Sequence, residues 1–123
     1  MLKSALIVGI GSFAGGMLRF IISYLMKNAC SSAFPWGTFI VNLLGCLLIG
    51  VFYAIFAKYS SCSHTLCLLL TTGFCGGLTT FSTFSNESLS MLHAGNWVGF
   101  ISYVSLSVVI GILMTFLGYS IFK

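Results

Sequence analysis

Residues 73–87 read GFCGGLTTFSTFSNE and fall inside the third of four long apolar segments of the chain. The stretch holds three glycines, four Ser or Thr residues in its TTFST core, three phenylalanines, and Glu87, the only acidic residue of the protein. Glycine costs about 1 kcal/mol in a helix interior, and β-branched threonine also disfavours a helix. The stretch therefore predicts that the third segment is a helix broken at about residues 73–80.

The composition of the whole chain is that of a membrane protein. Of its 123 residues 59% are hydrophobic and 5% are charged, whereas soluble domains carry about 25% charged residues. The net charge of +4 comes from five scattered basic residues, four of them near the ends of apolar runs. Nucleic-acid binding needs basic residues clustered on one face, so we expect no nucleic-acid partner.

Four apolar runs are long enough to cross a bilayer, which takes about 20 residues of helix. They span about residues 5–26, 35–57, 64–92 and 97–122, and the connections between them are short. Pro35 suits the first turn of the second helix, where its missing N–H costs nothing. The sequence predicts one all-α transmembrane domain over residues 1–123, a four-helix bundle with both termini on one side.

The charges mark the orientation of this bundle only weakly. Lys3, Lys58 and Lys123 lie on the side of the termini, while Lys27 and Arg19 lie at or near the other side. The positive-inside rule favours cytoplasmic termini. A bias of three basic residues on one side against one or two on the other is, however, compatible with insertion in both directions.

Several glycines are spaced so that helix backbones can approach each other closely. The GxxxG pairs are Gly11 with Gly15, Gly73 with Gly77, and Gly95 with Gly99. Packing within one bundle is the favoured interpretation, with a contact between two copies as the alternative. Because four helices enclose little interior, the bundle is expected to be half of a larger assembly.

Polar residues form stripes on two of the predicted helices. Thr38 and Asn42 are four residues apart and share a helix face, as do Tyr103 and Ser107. The Asn42 amide has two donors and an acceptor to satisfy, and leaving them unpaired in hydrocarbon is costly. Asn42 therefore needs a partner helix, water or a passing ligand.

The predicted break has two features that suggest ions. A broken helix frees backbone carbonyls, which are tolerated in a bilayer only inside protein or along a cavity and which bind cations in transporters. Phe81 and Phe84 follow, three residues apart and hence on one face. Packing is the usual interpretation of such a pair, but the positive edges of phenyl rings can also face an anion.

Three segments are distinctive: GFCGGLTTFSTF in the third span, GSFAGGMLRF at residues 11–20, and FPWGTFIVNLLGCLLIG at residues 34–50. Together they resemble the fluoride channel family known as Fluc or CrcB. The resemblance covers essentially the whole chain in length, number of spans and order of motifs.

This resemblance implies an assembly and a function. The chain would form an antiparallel dual-topology dimer in the cell membrane, surrounded by membrane lipid, either with itself or with a paralogous subunit. The dimer would hold two pores for passive, electrogenic export of fluoride, which confers fluoride resistance. A central structural sodium ion would be bound by the backbone carbonyls of Gly76 and Thr79.

The resemblance also implies roles for side chains. Phe81 and Phe84 would turn their ring edges to fluoride, and the Asn42 amide would donate to it. The polar residues lining the pathway would be Thr38, Thr80, Tyr103 and Ser107. Arg19 fits the first-helix motif, either drawing anions into a vestibule or snorkelling to the interface. For Glu87, on the Phe84 face, a solvated or paired acid is the favoured interpretation.

Two other functional classes remain open at this point. A small multidrug exporter is also a four-helix dual-topology dimer, but its proton-coupled members need an acid in the first helix, where this chain has none. A structural subunit of a larger complex would conduct no ions. Nothing in the sequence pairs a nucleophile with a base or one carboxylate with another, so we expect no enzymatic activity.

Overall fold

The fold is entirely helical over the described residues of this computed structural model, which are 1–29, 33–59 and 61–122. The helices are α1 (Leu2–Ala29), α2 (Trp36–Lys58), α3 (His64–Leu68), a π-helix (Leu69–Cys75), α4 (Gly76–Leu78), α5 (Ser82–His93) and α6 (Trp97–Ile121).

Four stretches are long and apolar enough to cross a membrane, which confirms the predicted number of spans. They are Leu2–Ala29, Trp36–Lys58, His64–His93 and Trp97–Ile121. The first runs three residues further at each end than the predicted 5–26. The chain is therefore a multi-pass membrane protein with an interrupted third span.

Pro35 lies just before α2 rather than in its first turn as predicted. Its backbone angles, φ −80° and ψ 75°, are those of the centre of an inverse γ-turn. The N–H of Trp36 donates to the carbonyl of Phe34 (2.9 Å) and closes this turn. The helix therefore begins one residue later, at Trp36.

The start of α6 has the same form. Asn96 has φ −86° and ψ 75°, and its side-chain oxygen accepts a hydrogen bond from the N–H of Gly99 (2.9 Å). Gly95, with φ 74°, forms the turn before it. The Gly95 and Gly99 pair thus belongs to a turn and a helix cap, which explains its spacing without a helix–helix contact.

The third span is irregular over a different range from the predicted 73–80. A π-helix begins at Leu69, a short α-helix follows it, and the chain becomes extended at Thr79 (φ −84°, ψ 158°). The hydroxyl groups of Thr71 and Thr79 donate to carbonyls four residues earlier, at 2.7 and 3.0 Å. These hydroxyls bond back to their own span, as threonine commonly does in helices, and the Cys75 carbonyl also accepts from the Thr79 N–H (3.1 Å).

The helices pack mainly in two groups, α2 along α6 and α1 against the π-helix and α4. The groups are joined by direct packing of α1 on α2, where Gly37 meets Ser23, and by the third span, whose α5 lies against α6. Gly11 and Gly15 meet Gly73 and Gly77 at the α1 contact, where a Cβ on Gly15 would overlap the carbonyl of Phe74. Two of the three GxxxG pairs therefore pack on each other within one chain, as the favoured interpretation predicts.

A small buried cluster lies where α2, α5 and α6 meet. It consists of Phe39, Met91 and Tyr103, and the Tyr103 side chain is fully buried. Apolar side chains elsewhere, including much of α1, face outward, as expected for a protein surrounded by lipid.

Candidate functional site

The backbone of the break is held by a side chain from α2. The Asn42 amide nitrogen donates to the carbonyl of Thr80 (3.0 Å), and its oxygen accepts from the Thr80 N–H (2.8 Å). This pair of bonds replaces partners that a continuous helix would supply. The amide nitrogen carries a second hydrogen, for which no acceptor is found among the described residues.

Two carbonyls at the break lose their helical donors. In an unbroken helix the carbonyls of Gly76 and Thr79 would accept from the N–H groups of Thr80 and Thr83. The first of these N–H groups instead donates to Asn42, and the second to the Thr80 hydroxyl (3.3 Å). Gly76 is exposed, with no heavy atom within 4 Å of the place where a Cβ would lie. Both carbonyls are therefore without their regular partners, and Gly76 faces an open surface.

One turn before Asn42 on α2, Thr38 faces Glu87 of α5, whose carboxylate accepts two hydrogen bonds. Thr38 donates to one oxygen (3.0 Å) and the Tyr103 phenol donates to the other (2.9 Å). Both donors are buried, at 5% and 0% exposure. Glu87 is therefore a paired acid rather than a solvated one. Its partners, Thr38 and Tyr103, belong to the two polar stripes.

The site thus has two tiers about one helical turn, roughly 5.4 Å, apart. The inner tier, level with the break, consists of Asn42 on α2, Phe84 on α5 and Ser107 on α6. The outer tier, nearer the start of α2 and α6, consists of Thr38, Glu87 and Tyr103.

Aromatic rings connect the two tiers. The Phe81 and Phe84 rings are 5.8 Å apart between centroids, and Phe84 is 4.9 Å from Tyr103. Phe81 is 77% exposed, which places the first ring of the series at the surface of the chain. The two motif phenylalanines therefore lie side by side, and Phe84 contacts the buried phenol.

A cavity opens at each tier. The cavity beside the break has a volume of about 440 Å³ and is lined by Asn42, Thr80, Phe81, Phe84 and Ser107, together with Thr71, Thr79 and small or apolar residues. The second cavity, about 350 Å³, opens between α5 and the residues just before α2 and α6, and reaches Glu87, Ser90 and Asn96. We call this second cavity the vestibule.

Arg19 contacts the break from the α1 side. Its Nε donates to the carbonyl of Gly77 (3.0 Å), and Ser12 donates to the carbonyl of Gly73 (3.2 Å) one turn earlier. These bonds satisfy two carbonyls of the irregular segment. Arg19 thus has a structural partner that sequence reasoning missed, and its role in drawing anions stays a prediction.

His, Cys, Asp and Glu form no group of three or more in the described part of the chain. The carbonyls of Gly76 and Thr79 suit a sodium ion, because unwound helix carbonyls are common sodium ligands.

The structure brings most of the predicted site residues close together, while their roles stay predictions, and sequence reasoning missed four of their contacts. Beside the Arg19 contact, it did not pair Thr38 and Tyr103 with Glu87, or Asn42 with the backbone of Thr80. The sequence did carry a signal for the Glu87 contacts, since Glu87 is the only acidic residue and lies three residues after Phe84.

Known proteins resemble this chain over nearly its full length. A fluoride-specific ion channel FluC of Phocaeicola vulgatus is 46% identical over 117 residues, covering 95% of this chain and 96% of that protein. A protein of the same name from Leptospira interrogans is 44% identical over 116 residues, covering 94% and 91%. Another from Chloroflexus aurantiacus is 40% identical over 117 residues, covering 95% and 93%.

The family-level comparison agrees with these relatives. The family model described as "CrcB-like protein, Camphor Resistance (CrcB)" matches residues 6–119, which include most of each span and both tiers of the site. The chain belongs to the CrcB family.

Proposed function

We propose that this protein is a fluoride-selective channel through which fluoride leaves the cytoplasm passively and electrogenically. The observation that carries the proposal is the two-tiered site, which offers an unused amide hydrogen on Asn42, hydroxyl groups and phenyl rings beside a break in a membrane helix. The names of the relatives, fluoride-specific ion channels, support the same ion.

The chemistry of these donors suits a small, strongly hydrated anion. Fluoride must exchange its water for other donors on entering the membrane and must also leave again. Amide and hydroxyl hydrogens and ring edges are individually weak donors, so several of them can replace water without trapping the ion. A lysine or arginine in the same place would hold the anion too tightly for rapid passage.

The proposed route passes the members of both tiers in turn. Fluoride would enter through the vestibule and reach the outer tier, where the Thr38 and Tyr103 hydroxyls would have to turn their hydrogens from Glu87 to the ion. It would then pass Phe84 to reach Asn42. Ser107 and the Thr80 hydroxyl line the cavity beyond, with Phe81 at its edge. The Asn42 amide hydrogen without a partner is the donor that the ion would use on the inner tier.

A sodium ion at the break is part of the proposal. The carbonyls of Gly76 and Thr79 would hold it, and its charge would stabilise backbone dipoles that helical bonding leaves unpaired. A bound sodium ion predicts a cation-dependent stability: the melting temperature in sodium should exceed that in N-methyl-D-glucamine, measured without any flux.

The protein is proposed to act as an antiparallel dimer, formed with itself or with a paralogous subunit. Three features support this arrangement: the exposed Phe81 ring, the exposed backbone at Gly76, and the largely apolar cavity beside the break. A second copy would cover these surfaces and provide the second of two pores. The weak charge bias of the loops is compatible with the inverted orientation.

The test is fluoride efflux from liposomes that contain the purified protein, followed with a fluoride electrode. Potassium fluoride efflux that starts on addition of valinomycin, with no efflux of chloride in matched liposomes, is the expected result. Valinomycin dependence shows that charge moves with the ion. Absence of flux from folded, dimeric protein would contradict the proposed function.

A further inference from the structure

Phe34 stands outside the site described above, yet its ring contacts that site directly. It precedes α2, and the neighbouring residues Ala33 and Pro35 line the vestibule together with Glu87. The Phe34 ring, in contrast, packs against the buried cluster of Phe39, Met91 and Tyr103. It therefore approaches the outer tier from the vestibule side.

The backbone at Phe34 is held by a rigid turn. Pro35 is the central residue of an inverse γ-turn, closed by the bond from the Trp36 N–H to the Phe34 carbonyl (2.9 Å). The proline ring fixes φ near the value that this turn requires. The position of Phe34 relative to the first turn of α2 is thereby set by the chain itself.

The geometry of the Phe34 ring is that of a specific aromatic contact. It lies 5.3 Å from the Tyr103 ring at an interplanar angle of 82°, and 5.3 Å from Phe39 at 79°. Edge-to-face pairs at this separation are stabilised by the ring quadrupoles beyond simple burial. Trp36, at 4.6 Å, packs against the same ring.

Tyr103 is therefore held between two rings. Phe84, on the inner tier, lies 4.9 Å from it, and Phe34 lies 5.3 Å from it. Its hydroxyl meets Glu87 at 2.9 Å, so a tilt of the phenol about the Cα–Cβ bond would displace a donor of the proposed pathway. The two rings oppose this tilt.

We propose that Phe34 is a positioning residue, whose edge-to-face contact holds the Tyr103 phenol in place on the outer tier of the fluoride pathway. The inference rests on the proposed function, because it assigns importance to the direction of the Tyr103 hydroxyl. It adds to that function a residue that does not itself touch the ion.

The experiment is a double-mutant cycle on fluoride efflux with Phe34→Leu, Tyr103→Phe and the double variant. Phe34→Leu keeps bulk but removes the ring, and we expect about five-fold slower efflux. If Phe34 acts through the Tyr103 hydroxyl, the double variant conducts as Tyr103→Phe alone. Losses that multiply, or wild-type efflux in Phe34→Leu, would overturn the inference.

Phe100→Leu is the matched control for lost aromatic packing. Phe100 is also a partly buried phenylalanine against the same cluster, but its edge-to-face partner is Trp97 (6.3 Å, 78°). We expect efflux within about two-fold of wild type for this variant. An equal loss in Phe100→Leu and Phe34→Leu would show a general packing effect and would overturn the inference.

A second comparison applies where Tyr103→Phe conducts too slowly for the cycle, or where Phe34→Leu does not fold. Phe34→Tyr keeps the ring, and Phe34→Met keeps an unbranched apolar side chain of similar reach. We expect wild-type efflux in the first and about five-fold slower efflux in the second. Equal efflux in both variants would overturn the inference.

Efflux by the wild-type protein in the same liposomes distinguishes failure of the proposed function from failure of the role of Phe34. Absence of wild-type efflux would contradict the proposed function and the role of Phe34 with it. Normal wild-type efflux with multiplying losses would overturn the role of Phe34 alone and leave the channel proposal intact.

Discussion

Replacing Asn42 with leucine is the most direct test of the link between the helix break and conduction. Asn42 makes two bonds to the backbone of Thr80, at 3.0 and 2.8 Å, and leucine would remove both while keeping similar bulk. Each unsatisfied buried polar group costs about 1–3 kcal/mol. Because Thr80 is only half-buried, we take the lower end, a total of roughly 2 kcal/mol.

This loss converts into a measurable change in melting temperature. For a domain of this size, 1 kcal/mol corresponds to roughly 4 °C, so Asn42→Leu should melt about 8 °C lower than wild type in detergent. Efflux should fall by about 100-fold, because the variant also lacks the amide hydrogen that the ion would use. Each tenfold change in rate corresponds to about 1.4 kcal/mol in the barrier.

Thr71→Val is the matched control for Asn42→Leu. Thr71 is buried and lines the same cavity, but its hydroxyl donates only to Cys67 within its own span (2.7 Å). We expect nearly unchanged efflux and melting temperature. Wild-type efflux in Asn42→Leu would refute the assigned pathway. A normal melting temperature with lost efflux would refute the role of Asn42 in holding the break.

Further variants test three other features of the structure. Phe81→Ile and Phe84→Ile remove the rings while keeping bulk, and should each slow efflux at least about ten-fold, since ring edges are the proposed donors; unchanged efflux in both contradicts this role. Gly15→Ala should prevent α1 from packing and abolish folded protein in size-exclusion chromatography, whereas Gly16→Ala, at a position with open space, should fold normally. Arg19→Gln loses a bond of 3.0 Å to a break carbonyl and should be about 1.5–3 kcal/mol less stable in thermal unfolding, with Arg19→Lys intermediate; equal melting of all three proteins would contradict this.

Hydropathy alone predicted the spans because each consists of one long apolar run. The polar stripes were also accessible, since residues four apart share a helix face. Thr38 and Asn42 thus appear on the face predicted for them. What spacing could not give was the rotation of one helix against another, which decides that Thr38 meets Glu87 and that Asn42 meets Thr80.

The irregular segment shows a different limit of sequence reasoning. Glycine and threonine indicated a weak helix at 73–80, but the backbone departs from α-helical bonding already at Leu69 and is helical again over Gly76–Leu78. Composition gives the cost of helix formation, whereas the actual bonding depends on tertiary donors such as Ser12 and Arg19. These donors lie about 60 residues away in sequence and act only once α1 is docked.

The π-helix at Leu69–Cys75 also determines the angular phase of everything that follows it. Each residue of an α-helix advances the chain by about 100° around the axis, and a π turn accommodates one extra residue. Winding the same residues as a regular α-helix would therefore rotate the next segment by about that angle. Gly77 would then turn away from α1, and Thr80 away from Asn42. The wide turn therefore sets the rotation of the later part of the span, so that Gly77 faces α1 and Thr80 faces α2.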